Sequence, residues 1–264
     1  MSVSAHHATI VEQFTRQAPG FAAAAPIRDA ELLDLMAAVS DVRPSDRVLD
    51  VACGPGIVTC AFAALAAHAV GVDLVEAMLA QAREHAAELA LDNVEFVNGE
   101  AEALPWDDAE FDLVVTRFSL HHLERPDAAL REMARVCRPG GTVVVCDLAP
   151  PARAAQAFNE LERLRDPSHV RALTERGLRR LFAGEAALGE PSVKPGALAL
   201  ELEAHLARSF PARAEDIDAI RACFATSIAG DTLGVGARRV GDSIEYAYPL
   251  VILAAPRVHG ADRG

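Results

Sequence analysis

The chain has 264 residues, 51% of them hydrophobic with much alanine, and only 5% aromatic. A chain of this length buries roughly 70–75% of the surface its unfolded form exposes, so neither a disulfide nor a metal is needed to hold it together. Its formal charge of −13, from 25 basic and 38 acidic residues, repels phosphate backbones and excludes nucleic acid as a natural partner.

The early residues, 1–43, read as helical, with Leu32, Leu33, Leu35, Met36 and Val39 at helical spacing. Met1–Phe14 has no cationic stretch leading into an apolar run, and Phe21–Pro26 is too short to span a membrane. A cytoplasmic protein with no membrane partner is expected. Five short apolar runs follow: Arg47–Ala52, Ala69–Asp73, Val94–Val97, Leu113–Thr116 and Thr142–Cys146. Helical patterns lie between them. In Val75–Leu89 the apolar positions step by three and four. Pro126–Cys137 opens on a first-turn proline and stops at Pro139-Gly140-Gly141. Strand and helix in alternation, with near-continuous apolar strands, predict a parallel sheet covered on both faces. Right-handed crossovers make it doubly wound.

Beyond residue 150 the pattern weakens. Arg153–Leu164 and Ala214–Ile228 are predicted helices, Ala197–Leu202 alternates but runs into a helical pattern, and Gly234–Gly241 is predicted loop. Ile244–Ala255 is a long strand interrupted at Pro249, which implies an edge or a bulge. The five cysteines form no CxxC pair and no cluster at zinc spacing, which predicts free, buried thiols and no metal site.

The feature richest in chemistry is Val48–Thr59, VLDVACGPGIVT. An apolar strand carrying Asp50 opens through Gly54-Pro55-Gly56 into an apolar helix. Glycines there let the backbone turn sharply and come close to a ligand. Asp73 ends the next strand, 19 residues after Gly54, a spacing at which a carboxylate accepts both hydroxyls of a ribose. As a plain structural residue it would instead cap the helix that follows. A dinucleotide oxidoreductase needs a third glycine where Thr59 stands, and a P-loop needs a Gly-Lys-Ser/Thr end that is absent. The loop therefore fits an adenosine-like ligand without a pyrophosphate.

VLDVACGPG resembles motif I of the class I S-adenosylmethionine (SAM)-dependent methyltransferases, in particular the branch that includes the ubiquinone/menaquinone C-methyltransferases. Three further segments resemble that family in order and spacing: GVDLVEAMLAQAR (71–83), GEAEALPWDDAEFDLVVT (99–116) and LHHLERPDAALREMARVCRPGGTVVVCD (120–147). The resemblance covers about residues 44–150. It implies a seven-stranded, mostly parallel Rossmann-like sheet with N-terminal lid helices and a helical insertion after the fifth strand. It makes residues 1–264 one domain: a lid over 1–43, a cofactor core over 44–150, and a substrate-covering part over 151–264.

The same resemblance implies roles for residues. Gly54 and Gly56 pass under the methionine and ribose of SAM, Asp73 binds the ribose hydroxyls, and Leu74 and Met78 complete that side of the site. Glu100 and Ala101 sit at the adenine edge, although most relatives carry aspartate where this chain has Glu100. Thr116 and Arg117 line the methionine end, and Asp50 either orders the loop or contacts the amino group. Phe14 and Phe21 are the lid candidates, with ordinary core packing as the alternative. Trp106 either shields the adenine or packs.

Methyl transfer needs mainly alignment, because the cofactor carries the reactive group. A base is needed only where the acceptor holds a proton. His121 and His122, at the carboxyl end of the fourth strand, are the candidates, against the alternative of one capping a helix and the other packing. His169 and Arg171, in DPSHVR, are candidates for substrate contact or a plain helix entry. His6 and His7 are expected in solvent. The sequence thus points to methylation of a small-molecule acceptor at O, N or C by a monomer or homodimer. A SAM-binding protein of the same fold with a cyclase-like or structural use of the cofactor is the alternative.

Overall fold

The computed structural model describes residues 5–21, 29–211 and 213–258, with the side chains of 19–21 left out. Two helices come first, α1 (Ala5–Phe21) and α2 (Ala30–Ser40). The Asp29 side chain caps α2 by accepting from the Leu32 amide at 3.1 Å. Then come β1 (Arg47–Val51), α3 (Ile57–Ala63), β2 (His68–Asp73), α4 (Glu76–Glu88), β3 (Val94–Asn98) and β4 (Phe111–Arg117). A single 3-10 turn, Leu120–His122, leads into α5 (Pro126–Val136) and β5 (Cys137–Leu148). The chain closes with α6 (Ala155–Arg165), α7 (Glu175–Gly184), β6 (Ser192–Glu201), α8 (Leu202–Leu206), α9 (Asp216–Gly230), β7 (Arg238–Val240) and β8 (Ser243–Pro256).

Seven strands lie in the order β3-β2-β1-β4-β5-β8-β6, and the short β7 pairs with β8. β1 to β5 run parallel, while β8 is antiparallel to both β5 and β6. This is the doubly wound, mostly parallel architecture expected from the alternation of apolar strands and helices. The strand order reverses between β1 and β4, the switch point beside which ligands bind in open α/β sheets.

Side chains alternate across the sheet and feed two cores. Val48, Val115 and Val144 face Met36 of α2, Phe62 of α3, Phe158 of α6 and Phe224 of α9. Leu49, Val114 and Val145 face Met133 of α5 and Phe182 of α7. Apolar burial at roughly 25 cal/mol per Å² on both faces is what holds the strands in register. α1 joins through a smaller cluster, Ile10 against Val75 and Met78.

The C-terminal third departs from the sequence reading in three places. The alternation at 197–202 belongs to a strand that begins at Ser192, and Glu201 then caps α8 by accepting from the amides of Glu203 and Ala204. Arg238–Val240 is a short strand rather than loop, because it pairs with the start of β8, Ser243–Glu245. β8 itself is interior to the sheet, and Pro249 sits within it. The Pro249 carbonyl accepts from Ala149 just past the end of β5, and the β5 pairing begins only at Leu250. The ring nitrogen faces that same flank, so the one bond that proline cannot make falls at the end of the β5 pairing.

Candidate functional site

The glycine loop leaves β1 in an irregular path. Ala52, Gly54 and Gly56 all have positive φ, at 56°, 53° and 74°. Gly54 costs nothing there and borders a cleft, whereas a Cβ on Gly56 would come 2.8 Å from the Cβ of Ala82. Gly56 therefore seats the loop on α4 and does not itself line the cleft. Ala52 holds a left-handed conformation that ordinarily costs about 1–2 kcal/mol, strain of the kind concentrated at functional sites.

Two carboxylates flank this loop. Asp73 accepts from the Gly54 amide and the Val75 amide, both at 2.8 Å, so it ties the glycine loop to the end of β2. The two expectations for it meet in one residue, since it meets the loop and also the entry to α4. Burial raises it from 3.8 to about 6, against the pull of the amides of Val75, Gly54 and Leu74. Asp50 accepts from the Thr59 hydroxyl at 2.7 Å. Burial raises it to about 7, opposed by the Thr59 bond and by Arg117. Thr59, standing where a dinucleotide site has glycine, serves here to hold Asp50.

The cleft encloses about 1010 Å³ of space, its open mouth included. Asp50, Gly54, Asp73, Leu74, Met78, Glu100 and Ala101 line it. Arg117, Phe118 and His122 line it too, with Ile10 and Phe14 of α1. Phe118 has φ of 56°, a sharp bend after β4 fixed by its amide donating to the Cys146 carbonyl at 2.9 Å. Thr116 lies beneath this lining. Its hydroxyl donates to the Val51 carbonyl at 2.6 Å and pairs with Ser119 at 2.5 Å, locking β4 to the glycine loop. Trp106 packs edge-on against Phe111 at 5.4 Å and is not among the residues lining this cleft.

A second cavity of about 730 Å³ adjoins the cleft, and Phe14, Phe118 and His122 line both. His121 lines only the second one. Its Nδ1 is 2.5 Å from Asp147 Oδ1, its own amide donates to the other Asp147 oxygen at 3.2 Å, and the Leu148 amide donates to Asp147 at 2.7 Å. Both residues are buried. His122 Nδ1 meets the Ser168 hydroxyl at 3.0 Å, and burial, reinforced by His121, lowers its pKa to about 4. His122 is therefore neutral at pH 7.

The remaining candidates separate. His169 is buried with its Nε2 on Asn159 Oδ1 at 2.7 Å and lines neither cavity, while Arg171 is exposed and lines neither. Phe21 ends α1, and its side chain lies outside the described residues. His6 and His7 are not in solvent, because α1 lays them along the site. His6 Nε2 is 2.7 Å from the His122 carbonyl, and His7 stands 3.4 Å from Glu102 and 3.8 Å from Glu100. Sequence reasoning gave Asp147 no role, although an acidic residue closing an apolar strand is the same signal that marked Asp50 and Asp73. Arg165, His205, Arg208 and Tyr248 of the second cavity carry no such signal.

Residues 49–145 match the family model described as a methyltransferase domain. Over that segment the chain is similar to methyltransferases. Among methyltransferases it is similar to the uncharacterized methyltransferase YcgJ of Bacillus subtilis (strain 168), 39% identical over 145 residues, which are 54% of this chain and 57% of that one. The crystal structure of YcgJ superposes with a TM-score of 0.79 at 27% identity, covering 87% of this chain and 99% of that one. The demethylmenaquinone methyltransferase of Clavibacter sepedonicus is 42% identical over 106 residues, 40% of this chain and 42% of its own length. In sequence, the chain spans about half the length of the curated relatives it matches. The [4+2]-cyclase SpnF shares the fold, with a TM-score of 0.54 at 22% identity over 87% of this chain and 81% of that one. Among the described residues, no helix is long and apolar enough to cross a membrane.

Proposed function

We propose that residues 1–264 act as one domain that transfers a methyl group from SAM to a small-molecule acceptor. One observation carries this reading: two cavities meet at Phe14, Phe118 and His122, with the buried Asp50 and the half-buried Asp73 on one side and a His–Asp pair on the other. The donor set suits the cofactor. Asp73 takes one amide on each oxygen and keeps lone pairs for ribose hydroxyls. Asp50, once ionised, complements an ammonium group, and Ile10, Leu74 and Met78 give an apolar seat for a purine. When bound, SAM supplies an electrophilic methyl carbon on a positively charged sulfur.

The chain's own part is alignment and a proton. Asp147 accepts from Nδ1 of His121, which leaves Nε2 as the basic nitrogen of that ring. That nitrogen takes the proton of the acceptor as the acceptor gains the methyl group, and S-adenosylhomocysteine is the other product. A positioned base of this kind contributes typically 10²–10⁴-fold. Neutral His122, between the cavities, brings no positive charge to repel a sulfonium.

Thermal unfolding with saturating SAM, S-adenosylhomocysteine or NADH tests the cofactor. A ligand at a hundred times its Kd adds about 2.7 kcal/mol of stability. Stabilisation by SAM and its product but not by NADH is expected, followed by S-adenosylhomocysteine formation across a panel of O, N and C nucleophiles. Folded, ligand-free protein that responds to neither adenosyl compound refutes the reading. Stabilisation without turnover of any acceptor moves it toward a non-methylating use of the cofactor, such as that of a cyclase.

A further inference from the structure

The second cavity combines apolar walls with cations. Phe14, Leu148, Leu198 and Leu200 line it. So do His121 and His122, the latter also lining the cofactor cleft. Arg165 and Arg208 line the same cavity.

The charges there are unevenly matched. Arg165 is held by Glu162 through Nε at 3.0 Å and Nη2 at 2.7 Å. Glu162 is wholly buried and also accepts from the Tyr248 hydroxyl. Asp166 is occupied as well, taking the amide and hydroxyl of Ser168 at 2.9 and 2.6 Å and Gln17 at 3.3 Å. Arg208, half-buried, has no carboxylate at ion-pair distance among the described residues. Nor does Nη1 of Arg165 have a hydrogen-bond partner among them, although that side chain is only 13% exposed. Guanidinium donors left without a carboxylate in a cavity that also has apolar walls match a planar oxyanion.

We propose that the acceptor is an apolar hydroxy acid, its carboxylate held by Arg208 with Nη1 of Arg165 and its hydroxyl presented to His121. This rests on the methyl-transfer reading of the same site. The hydroxyl is the methylated group. Its oxygen–hydrogen bond yields the proton to His121 Nε2, an oxygen–methyl bond forms, and the sulfur–methyl bond of SAM breaks with its electron pair passing to sulfur. A carboxylate needs no base to be methylated, so a His–Asp pair in the same cavity as two arginines assigns the acid to anchoring and the hydroxyl to reaction.

The test is calorimetric binding to the full chain saturated with S-adenosylhomocysteine. The probes are 4-hydroxybenzoate, 3-(4-hydroxyphenyl)propanoate and 6-hydroxy-2-naphthoate, each against its primary amide. At least one acid is expected to bind tenfold or more tighter than its amide, with Arg208→Gln reducing that ratio below threefold and Arg208→Lys restoring part of it. Unchanged S-adenosylhomocysteine affinity shows that the variants are folded. Equal binding of acid and amide in every pair, binding of neither member of any pair, or a ratio that survives Arg208→Gln overturns the proposal. Failure of S-adenosylhomocysteine itself to bind overturns instead the methyl-transfer reading beneath it.

Discussion

Replacing Asp50 with asparagine should make the protein more stable and worse at holding its cofactor. Asp50 is 1% exposed, and burial moves it from 3.8 to about 7. Each pH unit corresponds to about 1.4 kcal/mol, so keeping this carboxylate ionised in the folded state costs on the order of 4 kcal/mol. The sign follows from the direction. An acid whose pKa is raised by folding carries no penalty below its unfolded value. Stability is lost progressively as pH rises from about 4 to about 7, and the loss is constant above that. Asparagine is close in shape, can still accept from Thr59 through its amide oxygen, and has no charge to desolvate. Urea denaturation of wild type and Asp50→Asn at pH 4 and pH 8 should give near-equal stabilities at the lower pH. At pH 8 the variant should gain a few kcal/mol. SAM affinity, measured by calorimetry at pH 8, should fall at least tenfold in the variant. In the wild type it should strengthen from pH 6 to pH 8 as Asp50 ionises. Equal stability of the two proteins at pH 8 would refute the argument, because it would mean that the buried carboxylate carries no desolvation cost.

Asp73→Ala removes the charged acceptor at the end of β2 and should weaken SAM binding by about 1.5–3 kcal/mol, roughly ten- to a hundredfold, by calorimetry on folded protein. Asp147→Asn should leave SAM affinity unchanged but lower single-turnover methyl transfer by about 10²–10⁴-fold, because the amide no longer favours a free Nε2 on His121. Glu162→Gln leaves Arg165 with no carboxylate bonded to it and should cost about 3–5 kcal/mol in urea denaturation.

The parallel half of the sheet was legible because most of its strands carry a near-continuous apolar run, the half-buried β3 with Glu95 being the exception. A strand buried on both faces leaves no other choice, as Val48 and Leu49 illustrate by facing opposite cores. The cofactor cleft was legible for a related reason. Gly54 and Asp73 are local features of strand ends, and one hydrogen bond joins them. The acceptor cavity is different in kind. Arg165, His205, Arg208 and Tyr248 come from α6, from α8 and the turn after it, and from β8, and nothing local marks any of them. His169 and Arg171 looked suggestive in DPSHVR, but a six-residue stretch does not reveal its direction. His169 turned inward to Asn159 and Arg171 to solvent. His6 and His7 misled for the opposite reason. Polar residues near a chain start read as solvated until a helix lays them along a groove.

Helix α1 is a wall common to both cavities. Phe14 lines each of them, His7 stands against Glu100 and Glu102, and Gln13 and Gln17 reach the Phe210 carbonyl and Asp166 on the other side. A partition shared in this way makes the two compartments thermodynamically dependent on one another. Any guest that shifts α1 in one changes the affinity of the other by a factor that must be the same in both directions. Occupancy on either side is thus also information for its neighbour, carried in part by this helix of 17 residues.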